Sequence, residues 1–529
     1  MRSLVLTLTL AAAAAAQISD VSGERIRAHV KFISSDLFEG RGVGGRGDRL
    51  TTEYIATQFA LAGAKPGGDN GTFFQRVPLV GVATQPGATL SLKVKGETVP
   101  FKWLDEFVGA NQRQTSESQI DAELVYVGHG ITAPEFQWDD FKGVDVKGKV
   151  LLQFTNEPAS TDPTLFGGPA LTYYGRWTYK FEEARRRGAL GAIIIHTPET
   201  AGYGWEVVRS SWGHEQSFVK TEPGQHELAF AGWITSAAAE NALKQAGYSV
   251  DQLLKLSNER DFKPIPLGIQ VQARLRSEVR EQDTRNVVAI IPGSDPALKN
   301  EAVVFSAHWD HLGIGEAVDG DNIYNGAVDN ATGVGMIIEM ARAWAALPQK
   351  PRRSAIFTAV TAEEQGLRGS EYYAKHPPIP AGKTALGLNF DAFVPYGRTR
   401  DVVLTGAERT TFWPVVQDVA RRFQLTIKPD PAPGQGSYYR SDHFSFAKAG
   451  IPAFSVGEGT DFVRGTPPKS PKPTYHQPSD EYKEDWNFSG MEHIAKFGIT
   501  LGMEAANAEK LPTWRPGEEF LAAREQSWK

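Results

Sequence analysis

The feature that most constrains the fold is an alternation of apolar strands with helices that begins at Thr284. Segments whose apolar residues recur at helical spacing lie between short, almost continuously apolar segments of the kind that form buried strands. The predicted strands are 287–291, 302–306, 355–360, 386–390 and 453–456. This alternation predicts an α/β fold, in which helices cover both faces of a sheet.

Two regions with other sequence patterns precede this one. Between Gly23 and Leu61 apolar residues recur at helical spacing, which predicts two helices joined by a glycine-rich link. The link contains "GRGVGG" at 40–45, which formally matches a dinucleotide-binding fingerprint, but a helix precedes it where that fingerprint requires a strand. From about 86 to 283 short alternating strands with turn residues between them predict a β-rich region.

The first 16 residues, "MRSLVLTLTLAAAAAA", have the pattern of a secretory signal peptide: one arginine, an apolar run and small residues at the end. We therefore expect the protein to be periplasmic or secreted. Later segments contain no run of about 18 apolar residues, so we expect no membrane span. The chain has no cysteine, which excludes disulfides and thiolate zinc sites. A formal net charge of -6 gives no electrostatic reason to expect nucleic acid as a partner.

Residues able to bind a cation follow the second, third, fourth and fifth predicted strands. In sheets of this class ligands bind beyond the carboxyl ends of the strands, so these residues are expected to lie close together. Imidazoles mixed with carboxylates suit a catalytic zinc ion, and more carboxylates than one ion needs suggest two metals. The residues are His308, Asp310 and His311 after the second strand, Asp329 in the next loop, Glu363 and Glu364 after the third, Asp391 after the fourth and His476 beyond the fifth.

Five motifs in this order carry a family resemblance: "AHWD", "GAVDNATG", "AEEQGLRGS", "NFDAF" and "YHQPSD". Together they resemble the co-catalytic dizinc aminopeptidase family, whose relatives include glutamate carboxypeptidase and the transferrin receptor. The resemblance implies a mixed, mostly parallel sheet with helices on both faces. It also implies a catalytic domain in two parts, 20–85 and 284–510, an inserted protease-associated domain at 86–283 and a C-terminal tail at 511–529.

The resemblance also implies a role for each site residue. His308 and Asp391 would bind one Zn²⁺, Glu364 and His476 the other, and Asp329 would bridge the two. Glu363 would be the general base for a zinc-bound hydroxide, and Tyr475 would donate to the oxyanion. The peptide bond between Asp329 and Asn330 would be cis.

Three further residues complete these expectations. Asp310 is expected to accept the second ring N–H of His308 and so fix its tautomer, as carboxylates beside metal sites do. His443, in "SDH" at 441–443, could line the substrate side, while Ser441 or Asp442 would cap a short helix. His311 is left without a ligand role.

The leading functional expectation is an exported aminopeptidase that releases N-terminal residues from peptides. A carboxypeptidase or other amidohydrolase on the same metals is the alternative, since Arg368, Arg440 and Arg464 could bind a C-terminal carboxylate. A binding protein on an inactive peptidase scaffold is disfavoured because all five metal ligands and the base are present.

Overall fold

The computed structural model describes residues 20–162, 164–463 and 475–529, so the predicted signal peptide at 1–16 lies outside the described residues. The chain divides into two compact units. The first unit contains the described residues up to Val77 together with 283–431 and 440–529. The second unit contains 78–282 and 432–439.

Helices and strands are numbered here in chain order. The helices are α1 (Gly23–Ile33), α2 (Arg46–Leu61), α3 (Trp177–Arg186), α4 (Pro198–Ala201), α5 (Trp205–Trp212), α6 (Ser236–Ala246), α7 (Val250–Ser257), α8 (Thr332–Ala346), α9 (Arg368–Lys375), α10 (Trp413–Arg422), α11 (His443–Lys448), α12 (Ser489–Asn507) and α13 (Leu521–Ser527). The strands are β1 (Lys65–Pro66), β2 (Phe74–Thr84), β3 (Thr89–Val94), β4 (Glu97–Phe101), β5 (Phe107–Ala110), β6 (Glu117–Tyr126), β7 (Thr132–Ala133), β8 (Trp138–Asp139), β9 (Val150–Phe154), β10 (Gly191–His196), β11 (Gln216–Val219), β12 (Phe230–Thr235), β13 (Ile265–Ile291), β14 (Ala302–His308), β15 (Gly313–Val318), β16 (Asp321–Tyr324), β17 (Ser354–Val360), β18 (Thr384–Phe390), β19 (Asp401–Val403), β20 (Thr426–Lys428) and β21 (Ala453–Glu458).

The first unit contains the predicted α/β sheet. Strands β17, β14, β18 and β21 are neighbours in that order and run parallel. Residues 287–291 of β13 add an antiparallel strand beside β17, and β19 pairs antiparallel with β21 at the other side. The expectation of a mixed, mostly parallel sheet is therefore confirmed, and each of the five predicted strands lies within or overlaps an observed one.

Both faces of this sheet are buried, as its continuously apolar strands require. Along β14, Val303 and Phe305 pack into one hydrophobic cluster with α1, α2, α8 and α12, while Val304 packs into a second cluster with α9 and α11. Helix α12 approaches the sheet closely because Gly502 has no side chain there. A Cβ atom on Gly502 would lie 2.3 Å from Phe305 Cζ, so a larger residue would displace the helix.

The C-terminal residues 511–529, expected as a tail, belong to the core of the first unit. Trp514 is 1% exposed, and residues 521–527 form α13. The buried guanidinium of Arg524 donates hydrogen bonds to the carbonyl oxygens of Ala381 and Pro512. A buried tryptophan and a buried arginine that donates two hydrogen bonds to backbone carbonyl oxygens anchor this segment.

The second unit is built on one mixed sheet in the order β4, β3, β13, β6, β9, β10, β12 and β5. The side chains of β10 alternate between two hydrophobic clusters, with Ile193 and Ile195 in one and Ile194 in the other. Because successive side chains of a strand point to opposite faces, this strand is buried on both faces of the sheet.

The limits of the second unit differ from the expected 86–283. It begins at Pro78 because residues 79–82 already pair with β11. It also includes 432–439, where the backbone N–H of Leu171 donates to the carbonyl oxygen of Pro433 and the rings of Tyr173 and Tyr439 stack. Neither contact has a local sequence signal.

None of the helices in the described ranges combines the length and apolar character that crossing a membrane requires.

Candidate metal centre

Most of the predicted site residues stand at the carboxyl ends of the parallel strands. His308 is the last residue of β14, Glu363 and Glu364 follow β17, and Asp391 follows β18. Strands that run parallel end at the same edge of a sheet, so residues far apart in the chain are brought together there.

Asp329 lies in the turn Ala327–Ala331, directly before α8, where the backbone of Asp329 and Asn330 is not helical. Its Oδ1 atom is 3.2 Å from His308 Nε2, and its Oδ2 atom is 3.5 Å from His476 Nε2. The peptide bond that joins Asp329 to Asn330 is cis, which confirms that prediction. One carboxylate therefore faces two imidazoles from separate loops.

Each of the two imidazoles also faces a second carboxylate. His308 Nε2 lies 3.2 Å from Asp391 Oδ1, and His476 Nε2 lies 2.9 Å from Glu364 Oε2. The site thus contains two sets of donor atoms, His308 with Asp391 and His476 with Glu364, that share Asp329.

These donors fit divalent cations of the zinc type. Nitrogen and carboxylate oxygen atoms with no thiolate are the ligands of catalytic zinc sites. The ligand atoms of His308, Asp329 and Asp391 all lie within 4.8 Å of one another, as ligands of a common ion do. The surrounding burial makes uncompensated carboxylates costly, so a cation there would stabilise the cluster.

The electrostatics of the cluster follow from its crowding. Burial would lower the pKa of His308, but the carboxylates of Asp391 and Glu363 outweigh burial and hold it well above its usual value. Burial raises the pKa of Glu363 well above its usual value, and the neighbouring Glu364 carboxylate raises it further. Glu363 Oε2 lies 4.0 Å from His308 Nε2, beside the two sets of donors.

Residues 286–499 match the model of the family described as peptidase family M28. The five predicted metal ligands and Glu363 all lie within that stretch. Over this stretch the chain is similar to peptidase family M28. The family resemblance predicted from the five motifs is therefore confirmed.

Relatives and solved structures resemble the chain over different lengths. A glutamate carboxypeptidase 2 homolog of Caenorhabditis elegans is 25% identical over 316 residues, which are 51% of this chain and 37% of that protein. A probable leucine aminopeptidase 2 of Aspergillus oryzae is 32% identical over 125 residues, 23% of this chain and 22% of that protein. The chain thus spans well under two thirds of the length of these relatives. The aminopeptidase from Aneurinibacillus sp. strain AM-1 shares the fold, with a TM-score of 0.52, 21% identity and coverage of 94% of this chain and 97% of that one.

Asp310 has a different role in the site from the one predicted. The second ring nitrogen of His308, Nδ1, lies 3.1 Å from the backbone carbonyl oxygen of Asp310 and 3.9 Å from its carboxylate. That carboxylate instead accepts hydrogen bonds from the backbone N–H groups of Glu363 and Glu364. Because the residue turns its carbonyl to His308, its side chain is directed to the next strand end, where it holds the loop of the two glutamates.

Arg41, which sequence reasoning missed, joins two of the loops that carry ligands. Its fully buried guanidinium donates to the carbonyl oxygens of Trp309, Asn325 and Gly326. Burial lowers the pKa of Arg41 to about 10, and the carboxylates around it, Asp480 foremost, oppose that effect. Arg41 belongs to the "GRGVGG" stretch, which follows α1 and not a strand.

Two further residues make hydrogen bonds to predicted ligands. Asp480, the last residue of "YHQPSD", accepts hydrogen bonds from the backbone N–H groups of Val328 and Asp329. Ser441 donates to Asp391, so it does not cap α11 as expected, and Asp442 makes no capping hydrogen bond there either. The sequence signal for Asp480 was the carboxylate at the end of the "YHQPSD" motif. No sequence signal indicated the role of Ser441, because its partner, Asp391, follows a different strand.

The remaining predicted residues lie in three environments. Tyr475 is 64% exposed, and its ring stacks on the ring of His476 with centroids 3.7 Å apart. His443 is buried at the start of α11, and within the described ranges the clustered ligand atoms do not include its nitrogens. His311 is buried, with Nδ1 2.7 Å from Glu364 Oε1.

Proposed function

We propose that the protein is a zinc-dependent aminopeptidase that binds two Zn²⁺ ions and releases N-terminal residues from peptides. The observation that carries this proposal is the Asp329 carboxylate, whose two oxygens face His308 and His476 at 3.2 and 3.5 Å. A carboxylate in that position is arranged to bridge two cations. The match to the M28 family in residues 286–499 supports the hydrolysis of peptide bonds.

The five ligand residues would divide between two ions. His308 and Asp391 would hold one, Glu364 and His476 the other, and Asp329 would contribute one oxygen to each. When bound, the ions would polarise the scissile carbonyl group and lower the pKa of a water molecule at the site.

Glu363 is the proton carrier in this proposal. Its side chain is 12% exposed, and its backbone N–H is fixed by the Asp310 carboxylate at 3.1 Å. The carboxylate would accept a proton from the attacking water and return it to the leaving amine, a transfer that accelerates such reactions about 10²–10⁴-fold.

Substrate binding would use the carboxylates and the phenol at the edge of the site. The positively charged α-amine of a peptide would lie against Glu363 and Asp391. Tyr475, exposed beside His476, would donate its hydroxyl hydrogen to the oxyanion that develops on the carbonyl oxygen.

A substrate panel tests this assignment. Purified protein should release the chromophore from amino-acid anilides, lose that activity on chelation and regain it with Zn²⁺. N-acetylation of a peptide should abolish its cleavage, because the acetylated amine carries no charge. Absence of release from every amino-acid anilide and every free peptide would overturn the proposal.

A carboxypeptidase remains the second candidate because of Arg440. This arginine lies within electrostatic range of the Tyr475 hydroxyl, and a guanidinium there could bind a C-terminal carboxylate. N-acetylated peptides separate the candidates: a carboxypeptidase would cleave them and would reject peptides with an amidated C-terminus.

We also propose that the protein is exported, with residues 1–16 removed as a signal peptide. The apolar run with small residues before Gln17 supports this. N-terminal sequencing of the protein recovered outside the cytoplasm should begin at Gln17. An intact Met1 on that protein would contradict the proposal.

A further inference from the structure

His311 is a buried histidine beside the metal ligands for which the sequence offered no role. Its residue exposure is 2%, and its backbone N–H lies 3.4 Å from the carbonyl oxygen of Arg41. The ring packs on Gly326, where a Cβ atom would lie 2.5 Å from His311 Cγ. Glycine at 326 therefore makes the space that the His311 ring occupies.

The partner of this ring is the Glu364 carboxylate, whose two oxygens face opposite histidines. Oε1 lies 2.7 Å from His311 Nδ1, and Oε2 lies 2.9 Å from His476 Nε2. The two histidines differ in exposure, since the side chain of His476 is 31% exposed and that of His311 is fully buried. Glu364 is thus held on its inner side by one imidazole and turned on its outer side toward the other.

We propose that His311 is a positioning residue that fixes Glu364 for metal binding. Its Nδ1–H donates to Oε1, which leaves Oε2 directed at the metal position shared with His476. This inference rests on the proposed two-zinc function. It requires no change in the charge of His311, only the donor hydrogen at Nδ1, and partners of this kind alter metal affinity about 10–100-fold when they are removed.

Two substitutions distinguish the effect of the hydrogen-bond donor from the effect of the volume of the ring. H311N retains an N–H donor near the position of Nδ1, because the amide nitrogen of asparagine is at the same distance from Cβ. H311L retains an apolar volume and removes the donor. H29L is the matched control, since His29 Nδ1 also makes a side-chain hydrogen bond, to Tyr54 at 2.8 Å, in the same unit but outside the metal centre.

The measurement is metal binding to the full chain, with Zn²⁺ alone as the probe. Metal-free protein is titrated against a chelating indicator, bound zinc is counted by elemental analysis, and circular dichroism verifies the fold. We expect H311L to bind the second of two zinc ions about 10–100-fold more weakly, while H311N and H29L stay within about threefold of the wild type.

Other results would overturn the inference in distinguishable ways. Unchanged affinity in a folded H311L would show that the hydrogen bond does not position Glu364. Loss of the second zinc ion in H311N as well as in H311L would instead make His311 a ligand of that ion, since one of its nitrogens lies within 4.8 Å of oxygens of Asp329 and Glu364. A wild type that binds fewer than two ions would instead reject the proposed two-zinc function, whatever the variants do.

Discussion

Ser441 donates a hydrogen bond of 2.5 Å to Asp391 Oδ2, on the side of the carboxylate that faces away from His308. The serine oxygen in turn accepts from Asn389 Nδ2 at 2.7 Å, and Asn389 Oδ1 accepts from Ser306 at 2.7 Å. A line of buried polar groups therefore leads from β14 through β18 to one predicted zinc ligand, and it determines which oxygen of Asp391 remains available.

Replacement of Ser441 by alanine should weaken zinc binding about tenfold, because Asp391 would lose the donor that orients it. Zinc affinity measured with a competing chelator tests this. S445A is the control, since Ser445 is also buried in this region and bonds to a serine, Ser370, outside the cluster of ligands. Equal affinities in S441A and S445A would contradict the expectation.

Replacement of Glu363 by glutamine should lower kcat about 10²–10⁴-fold while both metals stay bound, because glutamine keeps the shape of the side chain but accepts no proton. Anilide hydrolysis and zinc content are measured on the same sample. E364Q serves as the contrast, since it should lose zinc as well as activity. Retention of more than a tenth of kcat in E363Q would exclude Glu363 as the base.

Replacement of Arg41 by lysine should destabilise the first unit by about 3 kcal/mol. A single ammonium cannot reach the carbonyl oxygens of Trp309, Asn325 and Gly326 together, and each buried carbonyl without a donor costs about 1–3 kcal/mol. Denaturant unfolding measures the loss. R49K is the control because Arg49 is exposed, and its stability should match the wild type.

Removal of metal should lower the melting temperature. Zinc that binds the folded state alone stabilises it by about 4 kcal/mol at a free concentration 1,000 times its dissociation constant. Thermal unfolding with a chelator, and again after added zinc, tests this. The combined variant D329N/D391N should melt at the same temperature under both conditions, and a persistent shift would locate the effect outside this site.

Acid should destabilise the second unit through His129. Burial lowers the pKa of this histidine to about 3, and the nearby Lys180 lowers it further. The unfolded chain binds the proton near pH 6.5, so the stabilisation is present above that pH and is lost as the pH falls toward 3. Between pH 7 and 5 the loss amounts to about 2 kcal/mol.

Unfolding of H129Q tests this pH dependence, because glutamine does not titrate. The stability of the variant should fall less than that of the wild type by about this amount over the same interval. Parallel pH profiles in the two proteins would reject His129 as the source.

The strands and the clustering of the candidate site residues were predictable for a local reason. Buried parallel strands are continuously apolar, and the residues that follow them point to the same edge of the sheet, so His308, Glu364 and Asp391 could be located without coordinates. Asp329 and His476 followed from the motifs that resemble the family. These properties depend on short, local segments of the sequence.

The remaining features depend on contacts between distant segments. Arg41 precedes two of its carbonyl partners, Trp309 and Asn325, by more than 260 residues and has a φ of 52°, which no side-chain pattern reveals. The prediction that the Asp310 carboxylate accepts from His308 was wrong, because the backbone carbonyl oxygen of Asp310 takes that place beside His308 Nδ1. The membership of 432–439 in the second unit depends on aromatic packing with Tyr173.

That membership has a consequence for how the two units can be exchanged among relatives. A chimera that replaces 78–282 alone would import a foreign sheet and leave behind 432–439, the strip of chain whose packing partners it had removed. The second unit is formed by two segments of the chain, and most of the stretch that matches the M28 family lies between them. Recombination between homologues would preserve this packing only when the two exchanged segments carry matching residues at the positions of Tyr173 and Tyr439.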